Sequence, residues 1–552
     1  MSDLTATPPA SPPEGDSPAR SLAVEAARRR TFGIISHPDA GKTTITEKLL
    51  LYSGAIHLAG SIKGRKAGRL AVSDWMKMEQ ERGISITSSV LQFEYEGAAL
   101  NLLDTPGHAD FSEDTYRTLA AVDSAVMLID HTKGVESRTR KLFEVCRLRQ
   151  LPVVTFMNKL DRDGRDPLDL MDEVSTTLGL RVTPLNWPVG QGRDFKGVVD
   201  VHTRELTLYQ EATRHGTIRL ESQQVGMDAA RAILGDKHID ELEEELDLLS
   251  GAGDPWSHEA YLRGELSAVF WGSAMSNYGV EPLLRFLARS AAPPAGRDAH
   301  EGEAGENDVR IDPQDPSFTG FVFKIQANMN PRHRDRVAFM RVVSGRFDRG
   351  MDVTIGRSGE TLRLAKPHTF MADERSIVEE AWPGDIVGLY DPGHLRIGDT
   401  LSVGRRLRFD GIPRFAPEHF MRVILKDPMG RKKLDTGLTQ LAQEGVIQLF
   451  YRAATGHQDP WLGAVGQLQF EVLKERLRLE YGVKADLEPL RYNHARWVAG
   501  APTGLAWLQG RRDYTVVEDR TGQPVVLAET PWMLQYAADH APGIVLHDVE
   551  PL

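Results

Sequence analysis

Ser36-His37-Pro38-Asp39-Ala40-Gly41-Lys42-Thr43 decides how the first half of this 552-residue chain folds. It follows an apolar run, Phe32 to Ile35, that reads as a buried strand. It precedes Thr44 to Tyr52, a helical pattern with Ile45 and Leu49 four apart on one face. Strand, tight loop, Gly-Lys-Thr and helix make a phosphate cradle, in which loop N–H groups and the positive end of the helix dipole point at a polyphosphate. There Lys42 lies beside the outer phosphates and the Thr43 hydroxyl ligates Mg²⁺. Ser36, His37, Pro38, Asp39, Ala40, Gly41, Lys42, Thr43 and Thr44 are therefore candidate nucleotide-binding residues. The full pattern is G-x-x-x-x-G-K-[ST], and its first position here is Ser36. The competing reading is an ordinary strand-to-helix turn with a solvated lysine.

Working outward, apolar strand candidates recur near 32–35, 99–103, 125–129, 152–157 and 268–271, with helical patterns between most of them. Such alternation indicates a parallel sheet wrapped on both sides, with ligands at the carboxyl ends of its strands. The third strand ends in Asp104-Thr105-Pro106-Gly107-His108. Asp104 is placed to hold a Mg²⁺-bound water, Gly107 to bring its N–H near a γ-phosphate, and His108 to orient an attacking water. A surface turn is the alternative for this Thr-Pro-Gly run. The fifth strand ends in Asn158-Lys159-Leu160-Asp161. A carboxylate at Asp161 accepts from guanine N1–H and the 2-amino group, a donor pair that adenine lacks. Lys159 is expected along the base and Asn158 between this loop and the phosphate loop. The sixth strand ends in Gly272-Ser273-Ala274, where the Ala274 N–H is expected to meet the guanine 6-oxo group. Between the first and third strands, a hydroxyl in Glu79 to Thr87 can complete Mg²⁺ coordination while a triphosphate is bound. The bland reading there is a polar loop leading into an edge strand, Ser89 to Tyr95.

The composition fits several globular domains, with 41% hydrophobic residues. Lysine plus arginine total 66 against 78 acids, a net charge of -12 that gives no overall signal for nucleic acid, although local patches decide such binding. One cysteine, Cys146, excludes an intramolecular disulfide and fits a reducing cytoplasm. No apolar run is long enough to span a bilayer.

The pattern divides the chain as a multidomain α/β protein. Residues 1–29 are expected to be a disordered tail, proline-rich at Pro8, Pro9, Pro12 and Pro13, with Arg28, Arg29 and Arg30 at a solvated helix start. A P-loop GTPase domain follows at 30–294, with an insertion at about 181–266 that includes an acidic helix, Ile239 to Leu249. Residues 295–316 read as a linker. A β-barrel domain follows at 317–412, with Phe321, Phe323 and Ile325 on one face. An α+β C-terminal domain occupies 413–552. Its elements are a helix at Asp435 to Glu444, a strand at Ile447 to Tyr451 and a longer helix at Val465 to Tyr481. Arg332, Arg334 and Arg336, and separately Lys426, Arg431, Lys432 and Lys433, are candidate RNA-phosphate contacts, set against the commoner role of keeping a surface soluble.

The five nucleotide motifs, in this order, resemble those of the translational GTPases. In that group the first position of the phosphate loop is commonly not glycine. Ser36-His37-Pro38-Asp39, Ser73-Asp74-Trp75-Met76 and Arg82-Gly83-Ile84-Ser85-Ile86-Thr87 are similar to the bacterial peptide chain release factor 3 family. So are the stretches Phe318 to Met329 and Arg332 to Gly345. The resemblance covers about residue 30 to the C-terminus. It implies GTP/GDP and Mg²⁺ as cofactors, with Thr43, Ser85 and Asp104 as the metal set; Ser85 stands where the group usually has threonine, and Thr87 is a possible substitute. It also implies His108 as the catalytic histidine, with Lys42, between the apolar residues Pro38 and Ile84. The implied activity is ribosome-stimulated hydrolysis of GTP in translation termination, promoting dissociation and recycling of class I release factors in the cytoplasm. The implied partners are ribosomal RNA and proteins, including the stalk, with the class I factors reached indirectly through the ribosome by a monomer. Another ribosome-associated GTPase, a shortened elongation factor G relative or a ribosome-protection protein, is the alternative.

Overall fold

The apolar runs flanking the quoted loop become the middle of a seven-stranded sheet. The structure, a computed structural model, describes residues 18–56, 88–209, 218–219, 222–252, 254–302, 307–327, 336–365, 367–371, 374–410, 412 and 414–550. Ser85, Thr87, the Arg82-Gly83-Ile84 run, Ser73 to Met76, Arg332 and Arg334 lie outside the described residues.

The first strands are β1 (Arg29–Ser36), β2 (Ser89–Tyr95), β3 (Ala98–Asp104), β4 (Ser124–Asp130), β5 (Val153–Asn158) and β6 (Arg181–Pro184). An insertion contributes β7 (Asn186–Val189), β8 (Gly197–Asp200), β9 (Leu206–Tyr209) and β10 (Ser222–Val225), and the chain returns as β11 (Leu266–Trp271). The central order is β2-β3-β1-β4-β5-β11-β6. Every pairing is parallel except β2 with β3. β4 is buried at every position, as a strand covered by helices on both faces must be. β2 reverses at the edge because only Glu96 and Gly97 join it to β3, both with positive φ, as a tight hairpin requires.

Several expectations change. β6 pairs with β11 in the central sheet, so the inserted sheet begins later than residue 181, with the order β10-β9-β8-β7. The acidic helix runs Asp236–Ala252 and buries Ile239, Leu242 and Leu246. The tail is not structureless to residue 29: Pro18–Ala27 is a helix that buries Leu22 and Ala26, four apart. The three arginines therefore follow a helix end, and Arg29 opens β1 with its side chain buried against Asp385 at 2.8 Å.

The stretch 295–316 is not a plain linker, because Arg297–Glu301 and Asn307–Ile311 pair as antiparallel strands. Its inward residues, Ala299 and Ile311, are too few among the acids to show a period in sequence. Phe321, Phe323 and Ile325 do not share one face. A register shift between Val322 and Lys324 puts Phe321 and Phe323 into the apolar cluster of the first domain and Ile325, with Val322, into the barrel core. Arg336 is buried on Asp391 at 3.0 Å and is no surface phosphate contact.

The last domain is an eight-stranded antiparallel sheet with helices at Arg431–Gln443, Gln467–Glu480, Pro502–Gln509 and Pro531–His540. Lys432 and Lys433 are exposed, whereas Lys426 pairs with Asp486 at 2.7 Å and Arg431 with Asp435 at 3.0 Å. Cys146 lies in the core of the first domain, where burial pushes its thiol up to about 12. Among the described residues no helix is long and apolar enough to cross a membrane.

Candidate nucleotide site

The strand tips of β1, β3, β5 and β11 meet at one end of the sheet. Ser36 closes β1, and the loop after it turns through two left-handed residues, Asp39 and Gly41, before the helix Lys42–Ser53. Gly41 is required twice over. Its φ of 102° strains any residue with a Cβ, and a Cβ there would overlap the Asn158 amide. The Ser36 hydroxyl is buried with no hydrogen-bond partner among the described residues, an orphaned polar group beside the loop that a bound anion would relieve.

Parallel pairing places Ile34 of β1 opposite Asp104 of β3. The two tips are joined twice: Lys42 Nζ donates to Asp104 Oδ1 at 2.7 Å, and Thr105 Oγ1 donates to the Ile34 carbonyl at 2.5 Å. Lys42 and Asp104 are both buried, so each charge depends on a partner. Gly107 follows, and a Cβ there would come within 4.0 Å of Lys42 Cε. His108 is partly exposed, its Nδ1 3.3 Å from Asp110 Oδ1.

On the other side Asn158 straps the loops together. Its Nδ2 donates to the Ala40 carbonyl at 2.7 Å, and its Oδ1 accepts from the Lys159 and Ala274 N–H groups at 2.8 and 2.9 Å. The Ala274 N–H, expected at the guanine 6-oxo group, meets Asn158 Oδ1 in this structure. Lys159 has a φ of 75° and donates to Asp130 Oδ2 at 2.7 Å and to the Asp39 carbonyl. Burial works to raise the Asp130 carboxyl, but hydrogen bonds from Lys159 and Thr132 outweigh it and hold the group below the usual carboxylate range. Asp161 Oδ1 accepts from Ser273 Oγ at 2.6 Å, which aligns the proposed base acceptor with the β11 tip.

Hydrogen bonds thus join Lys42 to Asp104, Asn158 to Ala40 and Ala274, Lys159 to Asp39, and Asp161 to Ser273 at the strand tips. Sequence reasoning missed Asp130, the last residue of β4, and Glu136, whose Oε2 lies 3.1 Å from His37 Nδ1. A carboxylate closing an apolar run, Leu128-Ile129-Asp130, was the available signal for the first; Glu136 had none.

Residues 27–293 match the elongation factor Tu GTP binding domain, and residues 317–404 match elongation factor G domain 2. Residues 409–538 match the C-terminal domain of the class II release factor RF3. Fold and site together define a translational GTPase, a hydrolase that binds guanine nucleotide. Over 527 residues the chain is 54% identical to a peptide chain release factor 3 of Symbiobacterium thermophilum, covering 95% of this chain and 98% of that protein. Over 534 residues it is 48% identical to the one from Microcystis aeruginosa, covering 95% of each. The chain belongs to the peptide chain release factor 3 family and is a GTPase of translation termination. A crystal structure of a protein from Thermus thermophilus shares the fold, with a TM-score of 0.67 at 24% identity over 86% of this chain and 69% of that one.

Proposed function

We propose that this chain hydrolyses GTP on the ribosome and thereby promotes departure and recycling of class I release factors after peptide release. The observation that supports this most is the Asn158 strap, which holds the phosphate loop and the two base-reading loops as one unit. Mg²⁺, when bound, supplies positive charge at the phosphates, and Thr43, Ser85 and Asp104 would hold it. A hydroxyl and a carboxylate are the hard oxygen donors that this ion takes in small number. Lys42 offers an ammonium to the outer phosphates in exchange for Asp104, and the loop N–H groups and Ser36 complete the cradle. Asp161 and Lys159 select and cover the base, and His108 orients the attacking water. The exposed side of the acidic helix Asp236–Ala252 is the surface for the ribosomal stalk. The protein acts as a cytoplasmic monomer and reaches class I factors through the ribosome.

The test is GTP turnover with and without ribosomes carrying a bound class I release factor, scored together with factor release. Strong stimulation and loss of the bound factor are expected; turnover indifferent to ribosomes overturns the proposal. For the base site, Asp161→Asn is expected to lower GTP affinity by about tenfold or more, because the replacement removes a paired acceptor. Undiminished selection of guanine over adenine in a competition assay would remove Asp161 from its role.

A further inference from the structure

The segment that follows His108 is held by another domain. Asp110 Oδ2 accepts the Leu468 N–H at 2.7 Å, and Leu468 is the second residue of the helix Gln467–Glu480. Helix N-termini leave N–H groups without intrahelical partners, and a short polar residue just before the helix normally accepts one of them. Here that position is Gly466, which has no side chain to offer, and a Cβ there would overlap the Asp110 carboxyl group. The cap comes instead from the GTPase domain, 358 residues earlier in the chain. The Asp110 N–H donates to His108 Nδ1 at 3.2 Å, and the other oxygen of the same carboxylate lies 3.3 Å from that nitrogen. A second glycine repeats the arrangement. A Cβ at Gly445 would overlap the Arg117 guanidinium, which donates to the Glu444 and Gly445 carbonyls. Two positions of the C-terminal domain thus leave room for charged side chains from the segment behind His108.

We infer that Asp110 is a positioning residue for GTP hydrolysis, orienting the His108 ring through Nδ1 only while the C-terminal domain is docked and its helix cap is made. The inference rests on the reading that His108 orients water. An imidazole held at Nδ1 presents Nε2 in a fixed direction. One Asp110 oxygen is fixed by the helix and the other faces the ring, so undocking removes the bond that sets the carboxylate's own direction. The hydrogen bonds of Asp110 and Gly466 run to His108 and the C-terminal helix, while those of Lys42, Asn158 and Asp161 run among the nucleotide loops. Loosening the cap therefore lowers turnover and leaves nucleotide affinity unchanged.

The experiment uses the full chain with ribosomes and separates kcat, KM for GTP and GDP affinity by calorimetry, with a melting curve for each variant. Gly466→Ala, which touches neither His108 nor the nucleotide loops, is expected to lower kcat about tenfold, since small misplacements of a catalytic group cost that much or more. KM and GDP affinity should stay unchanged. Asp110→Ala should show the same loss, and Asp110→Asn, which keeps an acceptor for the Leu468 N–H, should recover most of it. The double variant Asp110→Ala with Gly466→Ala should be no worse than either single change, because both remove one interaction. Wild-type kcat for a folded Gly466→Ala, additive losses, or GDP affinity falling in step with kcat would overturn the inference. If Gly466→Ala fails to fold, the Asp110→Ala and Asp110→Asn pair decides. His108→Ala runs in parallel: full turnover there defeats the underlying reading, whereas an inactive His108→Ala beside active Asp110 and Gly466 variants defeats only the present inference.

Discussion

The GTPase domain meets its two neighbours through seams of different construction. Against the barrel the seam is deep and saturated. Arg341, 2% exposed, donates to Asp123 at 2.6 Å and to the Ala121 carbonyl at 2.9 Å. Thr31 and Asn101 both donate to the Gly384 carbonyl, Gln92 donates to the Ile386 carbonyl, and Lys324 reaches the Ser88 carbonyl. Phe321, Phe323 and Phe339 belong to the same apolar cluster as the sheet residues of the GTPase domain. Against the C-terminal domain the seam is thinner. Its apolar centre is Phe111 with Val472, and apart from the 2.7 Å Asp110 cap on Leu468 its bonds are long: Arg117 reaches the Glu444 and Gly445 carbonyls at 3.5 and 3.4 Å, and Gln448 meets Glu113 at 3.3 Å. A cavity of about 40 Å³ lies beside it, lined in part by Phe111, Lys324, Glu444 and Arg476. Buried ion pairs bound on both sides fix one relative placement, while a seam with a single short bond, several long ones and a cavity beside it separates at lower cost. The barrel should therefore travel with the GTPase domain, and the C-terminal domain should be the part that moves.

The largest effect should come from the first seam. Asp123→Ala leaves Arg341 buried with its charge unpaired, and a loss of about 3 kcal/mol is expected in urea unfolding, toward the low end for broken buried pairs because the Ala121 carbonyl still accepts. Gln448→Ala tests the second seam without breaking the buried Arg117–Glu113 pair, and about 1 kcal/mol is expected from the loss of its bonds to Glu113 and the Phe415 carbonyl. A Gln448→Ala loss as large as that of Asp123→Ala would erase the contrast between the seams. The smallest effect on stability should come from charge reversal of the exposed Lys432 and Lys433, within about 0.5 kcal/mol in unfolding. Ribosome binding should nevertheless weaken and lose part of its salt dependence, and identical binding across a salt series would remove these lysines from the interface.

How much of this was legible beforehand follows from the range of the interactions involved. The strand-tip positions of the phosphate loop, Asp104 and the Asn158 to Asp161 run were readable because each ends an apolar strand. The seams were not readable. Arg341 and Asp123 are 218 positions apart, and nothing local to either marks the other. The face assignment at Phe321 to Ile325 failed because a single register shift, set by the partner strand, moves Ile325 to the opposite side. The strands within 295–316 were hidden by acids that a two-residue apolar pattern could not outweigh. Arg336 looked like a surface contact because Asp391, which buries it, arrives from a distant strand.

Cys146, enclosed in the sheet domain with its thiol kept protonated, gives the chain a practical property. Thiolate reagents need an exposed, ionised sulfur, and the native fold offers them none at this position. A fluorophore pair attached through cysteines introduced on either side of the Phe111–Val472 contact would therefore label at the chosen points without first removing the natural residue. Such a pair would report directly, on working ribosomes, when the last domain lifts away.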